Sequence, residues 1–325
     1  MFNLLESVVY YWLRMSEYII SFHTTWPESD KDFFYSIKRQ TPSNTGVWDR
    51  IKGTSASSEA DYHIVFDRPR KDVNYQNTLM YNAEPPVSPS VKGWSKVNKD
   101  QRHPIEVHHK PQRWWVNKSY DQLKQLDPIK KSYDLSWITS DKGRSKYGVR
   151  THFRKLMMNF GVDELRMKNY PIINKPFYGH ILRMELYDRL VANTAGILHL
   201  YGRGNFNGDH YKGTVEDKWS ALKDYRYTLA IENYQGPNYF TEKISDALLA
   251  WCMPIYWGCT NLSEYIPENS YVNIDIEDPN ATQQIKSIIE SDIREKNIDA
   301  IAEARNRILD CHQIWPTVQD SILNL

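Results

Sequence analysis

Only three cysteines, Cys252, Cys259 and Cys311, occur in 325 residues. So odd and sparse a set, without metal-ligand spacing, excludes a disulfide framework and a cysteine zinc centre, and it suits free thiols in a reducing compartment. Surplus charge is equally scarce. Lys plus Arg total 41 against 40 acids, so no whole-molecule field gathers nucleic acid or an anionic membrane, and any anion site must be local. Long apolar runs are missing too: the N-terminal FNLLESVVYYWLRMSEYIISF is broken by Glu6, Arg14 and Glu17 before it reaches the roughly 18 residues a membrane helix needs. No secretory signal is legible there either, which leads to the expectation of a soluble, cytoplasmic chain of bacterial or viral type. The Asn-x-Ser/Thr triplets at Asn117, Asn261 and Asn280 carry no meaning without secretion.

What is present is aromatic. The chain has 11 Trp and 22 Tyr, side chains that fill cores and that also stack on sugar rings while their polar tips hydrogen-bond. With 41% hydrophobic and 25% charged residues, it can bury a core of ordinary size, in one domain or two.

Short β-forming runs in the first half, Tyr18 to Phe22, Ala60 to Phe66 and Thr78 to Tyr81, predict buried strands of an α/β layer. Pro85, Pro86 and Pro89 then break the pattern. The basic, aromatic stretch 92–118 reads as a long loop, in which His103, His108 and His109 lack the spacing of metal ligands and Trp114 and Trp115 either meet a sugar or pack. The charged residues at Ile129 to Ser132 form a candidate linker, dividing the chain into 1–131 and 132–325. In the second part LSWITS (135–140), a helix over His180 to Ala192, ILHLYG (197–202), a helix over Trp219 to Tyr225, YTLAI (227–231), a helix from about Thr241 and PIYW (254–257) follow one another. This alternation predicts a parallel sheet with right-handed crossovers. YVNIDI (271–276) adds a strand, and helices from Ala281 and over Asp299 to Ile314 finish the chain.

The informative segment is IENYQGPNYFTEKISDALLAWCMPIYWG, from Ile231 to Gly258. Thr241 is a good N-cap, and Ile244, Ala247, Leu248 and Trp251 recur at helical spacing, so this helix starts from a loop after a strand and packs one face on the sheet. In an open parallel sheet ligands bind there, and the exposed N–H groups and dipole of the helix favour an anion such as a diphosphate. Lys243 in the first turn opposes the dipole, which makes sense with a phosphate between them.

Three elements of this segment, Glu232-Asn233-Tyr234, Tyr239-Phe240-Thr241-Glu242-Lys243 and Pro254-Ile255-Tyr256-Trp257-Gly258, together resemble the signature of the α-1,3/1,4-fucosyltransferase family, glycosyltransferase family 10. The resemblance extends to LYGRG (200–204) and LKDYRYTLAIEN (222–233), covers about 180–276 well, and matches the first half only in outline. It implies two facing Rossmann-like domains of the GT-B type, the N-terminal one for the acceptor and the C-terminal one for GDP-fucose. It further implies inverting, metal-independent transfer of fucose to a hydroxyl of an acceptor oligosaccharide, of the α-1,3 kind to GlcNAc or a glucose-type sugar. Carried over residue by residue, Lys243 binds the diphosphate, Glu242 the fucose hydroxyls, and Asn233 and Tyr239 the nucleotide sugar. Arg183 fits the expected phosphate-clamping arginine, with Arg150 a rival; a guanidinium suits bidentate contact with phosphate oxygens. Glu84, in MYNAEPPVSP, stands where the family has a Glu-Ser-Pro-like turn holding the general base, although Pro85 replaces that serine. No DxD-type pair sits at a strand end, so fixed cations would stabilise the departing GDP. Two other readings remain: the same architecture with another nucleotide sugar, and an inactive carbohydrate- or nucleotide-binding homologue.

Overall fold

The computed structural model describes residues 18–66, 70, 72–73, 77–81, 85, 113–142, 178–193 and 196–325. Glu84, Arg150 and the three histidines of the 92–118 stretch lie outside them. Two compact units are present. The first contains the described residues up to Arg113 together with Lys118–Gln125 and Leu309–Leu325, and the second contains Trp114–Asn117 and the described residues from Leu126 to Ile308.

The first unit is built on strands β1 (Tyr18–Thr24), β2 (Val47–Trp48), β3 (Ile51–Thr54), β4 (Tyr62–Phe66) and β5 (Thr78–Tyr81). Their order is β2-β3-β1-β4-β5, parallel except for the short β2–β3 hairpin. Helix α1 (Asp30–Lys38) starts where the Ser29 hydroxyl accepts from Asp32 N, with Asp30 and Asp32 in its first turn, a charge placement that suits the helix dipole. It lays Phe33, Phe34 and Ile37 on one face of the sheet, against Ile20, Phe22, Ile64 and Phe66. Each such side chain, fully buried, contributes about 1.5–3 kcal/mol before chain entropy is counted. After the short helix α2 (Tyr120–Lys124) the chain leaves this unit.

It returns to it at the end. The last helix places Ile314, Trp315, Val318 and Ile322 in this same core, and the Trp315 indole donates to Ile37 O at 2.9 Å. Gly53 permits that seating, because a Cβ there would stand 2.4 Å from the Phe34 ring and 2.6 Å from the Trp315 ring. The sequence reading had carried the second part through residue 325.

The second unit has strands β6 (Tyr133–Ser140), β7 (Leu198–Arg203), β8 (Tyr225–Gly236), β9 (Met253–Cys259) and β10 (Val272–Asn273). They form an all-parallel sheet in the order β10-β9-β8-β6-β7. Helices α3 (Tyr178–Asn193) and α4 (Glu242–Leu249) connect them, and α5 (Ala281–Ile289), α6 (Ile293–Lys296) and α7 (Ile298–Asp310) follow; α8 is the final Ile314–Leu323. All seven residues of β9 are buried, as expected for a strand covered on both faces. The class is therefore the expected α/β with two sheets.

Two local expectations change. Trp219 to Tyr225 is not a helix: Asp217 caps a short 3₁₀ turn over Lys218–Ala221, and β8 already begins at Tyr225. YVNIDI pairs only at Val272 and Asn273, where it meets Ile255 and Tyr256. At the candidate linker, Lys131 Nζ donates to Lys223 O at 2.8 Å and Ala250 O at 2.7 Å within the second unit. Among the described residues no helix is long and apolar enough to cross a membrane.

The sheets share a topological feature that positions chemistry. In each, the second parallel strand lies on one side of the first and the third on the other, so the winding reverses between β1 and β4 and between β6 and β8. Ligands of open parallel sheets bind beyond the carboxyl ends of strands at such a reversal.

Candidate functional site

The apolar run of β8 ends at this reversal in a fully buried carboxylate, Glu232. A carboxylate stripped of water must be hydrogen-bonded or paired, and here it is both. Oε1 accepts from Thr241 N at 2.7 Å and from the Thr241 hydroxyl at 2.9 Å, while Oε2 lies 2.8 Å from that hydroxyl and 3.1 Å from Lys243 Nζ. Thr241 is the N-cap of α4. Its Oγ1 donates to Glu232 and accepts from Lys243 Nζ at 2.9 Å and Lys243 N at 3.4 Å. Strand end, cap and first-turn lysine thus form one unit, and the anion balancing Lys243 against the helix dipole is Glu232.

Two glycines make this close packing possible. A Cβ on Gly258, the last residue of PIYWG, would lie 2.4 Å from Glu232 Cγ, and a Cβ on Gly179 would lie 2.6 Å from Glu232 O. Through Gly179 the start of α3 seats on the end of β8, which brings Arg183 into the same corner. Arg183 is buried, donates through Nη1 to Ile231 O at 3.4 Å and contacts His180 Nδ1. Burial pulls its guanidinium down to about 10 against the attraction of Glu232, Tyr239 and Glu242, so it stays protonated at neutral pH. Its Nε is buried with no hydrogen-bond partner among the described residues. An unsatisfied buried donor of this kind costs about 1–3 kcal/mol.

The other first-turn residue, Glu242, is held from the opposite side. Lys218 Nζ lies 3.3 Å from Glu242 Oε1 and 3.0 Å from Oδ2 of Asp246, whose side chain is only 2% exposed. Asp246 Oδ1 also accepts the backbone N–H of Trp115 at 2.8 Å. Burial alone would lower the Lys218 ammonium, but Glu242 and Asp246 carry it above its ordinary value. Charges of alternating sign therefore run Asp246, Lys218, Glu242, Lys243, Glu232, with Lys243 Nζ 3.7 Å from Glu242 Oε1. Tyr239 is buried just before the cap with its ring against Tyr234 at 5.8 Å, and Asn233 follows Glu232 half-buried.

The structure thus gathers Arg183, Glu242 and Lys243, with Asn233 and Tyr239 on the flanking chain, around one helix start. Of the tryptophan pair, Trp114 is fully buried and Trp115 is 44% exposed. Sequence reasoning did not single out Lys218 and Asp246, and it quoted Glu232 only as part of a motif. An acid closing the apolar run YTLAI was the available sign of a buried carboxylate.

The far end of α4 is closed. Trp251 takes a left-handed φ of 61°, with Cys252 N donating to Ala247 O and Trp251 N to Leu248 O, the paired bonds of a Schellman cap. Arg305 donates to Leu248 O and Leu249 O, Lys131 to Ala250 O and Arg294 to Trp251 O. Four carbonyls at the negative end of the dipole are thereby met by three cations. Among the described residues no group of three or more His, Cys, Asp or Glu is placed to hold a metal, and all three cysteines are free.

Residues 173–292 match the model of the glycosyltransferase family 10 (fucosyltransferase) C-terminal domain. The chain is 40% identical over 60 residues to an alpha-(1,3)-fucosyltransferase FucT of Helicobacter pylori, an alignment covering 18% of this chain and 13% of that protein. It is 36% identical over 158 residues to alpha-(1,3)-fucosyltransferase B of Drosophila melanogaster, covering 45% of this chain and 31% of that protein. These alignments thus span less than a third of either relative's own length. A solved alpha1,3-fucosyltransferase with GDP-fucose aligns over 92% of both chains at 19% identity and a TM-score of 0.44. The resemblance read from the motif stands: the segment from 173 to 292, which holds Arg183, Glu232, Glu242 and Lys243, is similar to the C-terminal domain of the family 10 fucosyltransferases.

Proposed function

We propose that this chain is a fucosyltransferase that moves fucose from GDP-fucose to a hydroxyl of an acceptor glycan, with inversion and without a metal. The observation that carries the reading is Lys243, in the first turn of α4, bonded to the cap Thr241 at the carboxyl end of β8. Diphosphate oxygens arriving there would meet the N–H groups of the helix start, Lys243 and Arg183. Together these fixed charges and dipoles stabilise the negative charge that develops as GDP departs. Glu242 would hold the fucose hydroxyls, and Asn233 and Tyr239 the nucleotide sugar.

Glu84 is the proposed general base of the first unit, taking the proton of the attacking hydroxyl. Pro85 biases Glu84 toward an extended backbone. Glu84→Gln should keep GDP-fucose binding while transfer falls about 100-fold or more, the usual scale for a general base. Turnover at the wild-type rate in that variant would refute the assignment. Chelator should leave the rate intact, and activity lost to chelator and restored by manganese would show instead that a metal carries the leaving-group charge. Linkage, acceptor and a cytoplasmic location belong to the same proposal, and a glycan panel assayed with GDP-fucose tests the first two.

A further inference from the structure

The first turn of α4 carries two residues of opposite sign, and two separate buried carboxylates hold them. Lys243 is fixed directly by Glu232, at 3.1 Å. Glu242 is fixed at second hand: Asp246, buried one turn further along the helix, binds Lys218 Nζ at 3.0 Å, and Lys218 reaches Glu242 Oε1 at 3.3 Å. Asp246 is itself pinned, because its other oxygen takes the Trp115 N–H at 2.8 Å. Lys218 is anchored in turn by its backbone, in the 3₁₀ turn capped by Asp217.

A lysine needed only to neutralise Asp246 has no reason to reach Glu242 as well. By binding one oxygen of Glu242, Lys218 restrains the position of a half-buried carboxylate. It shares that oxygen with Lys243, whose Nζ lies farther off at 3.7 Å, so Lys218 is the nearer of the two cations on Glu242. A fixed carboxylate discriminates between sugar hydroxyl patterns because a mismatched hydroxyl leaves a desolvated acceptor unpaired.

We propose that Lys218, held by Asp246, is the positioning residue for Glu242 and sets the selectivity for the sugar of the donor, separately from the affinity for its nucleotide, which Glu232 and Lys243 govern. This rests on the reading of the α4 start as the sugar-nucleotide site.

The test is calorimetric titration of GDP and of GDP-fucose into wild type, Lys218→Met and Lys218→Arg, with donor hydrolysis measured for GDP-fucose and GDP-mannose. Lys218→Met should change GDP affinity by less than about threefold while reducing the preference for GDP-fucose over GDP-mannose about tenfold. Lys218→Arg, which can still bridge the two carboxylates, should recover most of that preference. Because Lys218→Met leaves Asp246 buried without its cation, the double variant Lys218→Met/Asp246→Asn removes the pair together, keeps an acceptor for Trp115 N, and should show the same loss in a stably folded protein. A preference unchanged in the folded double variant overturns the proposal, as does a fall in GDP affinity as large as the fall for GDP-fucose. Failure of the wild type to bind GDP at all overturns the reading of the site, and this inference with it.

Discussion

The two sheets reverse their winding in the same way and place opposite chemistry at the reversal. Between β6 and β8 the groups are ionic: Glu232, Lys243, Glu242 and Lys218 alternate in sign around a helix start, with Arg183 beside them. Between β1 and β4 they are imidazole and hydroxyl. Ser21 Oγ lies 2.9 Å from His23 Nε2 and 2.8 Å from His63 Nδ1, and those two nitrogens are 3.1 Å apart. His23 Nδ1 then meets Asp30 Oδ2 at 2.9 Å, and Asp30 Oδ1 meets Arg70 at 2.6 Å. Topology alone therefore selects a position in the fold, and the residues there decide whether it suits a polyanion. The second unit offers cations, Lys243 and Lys218, each held against a buried carboxylate at a helix start. Among the described residues the first offers imidazoles and a hydroxyl backed by the Asp30–Arg70 ion pair, in which the one cation at the reversal is already paired.

Removing the same functional group at each reversal sharpens this contrast. Glu232→Ala leaves the buried Thr241 N–H without its acceptor and the Lys243 ammonium without its buried counter-ion, and should lower unfolding free energy by about 3 kcal/mol. Urea denaturation reads that loss, and a change under 1 kcal/mol would mean the carboxylate does not organise the helix start. Asp30→Asn, where the side chain is 31% exposed and water screens the pair, should cost only about 1 kcal/mol and leave GDP affinity unaltered. Loss of GDP binding in that variant would break the division between the units. Thr241→Val keeps the shape of the cap and removes its hydroxyl, for a cost of about 1 kcal/mol in the same denaturation.

The smallest expected effect is in pH. Burial, and then the neighbouring His23, lower the His63 pKa from its ordinary value. Its protonated form is therefore disfavoured in the folded chain, and the unfolded chain binds the extra proton first as pH falls below the ordinary histidine range. Stability should decline through that window on acidification and be insensitive above it. A melting temperature that does not fall between pH 7.5 and 5.5, or that falls equally in His63→Gln, would remove His63 from the account.

The parts legible in sequence are those set by local rules. Thr241 as a cap, the apolar face of α4, the strand at Thr78 to Tyr81 and the buried PIYW strand follow from neighbours within a few residues, and the gathering of Glu242 and Lys243 comes with them. The Lys218–Asp246 pair spans 28 positions and the His23–His63 pair 40, brought together by tertiary packing that leaves no periodic trace in the sequence. The same holds for Arg305 reaching back across 57 positions to Leu248 O. Trp315 joins the core of the first unit across 278 positions, through its bond to Ile37 O. The stretch Trp219 to Tyr225 suggests a helix because its apolar residues suit a helix turn and a strand start alike, and the Asp217 cap with the pairing of Tyr225 to Tyr133 selects the latter.

The central claim is that the start of α4 binds the diphosphate of a guanine nucleotide through Lys243. Titrating GDP into wild type and Lys243→Met, without added metal, tests it most directly. Saturable binding by the wild type, weakened roughly tenfold or more in the variant, is the predicted result. Equal affinity in the two proteins, or no binding by either, would contradict it.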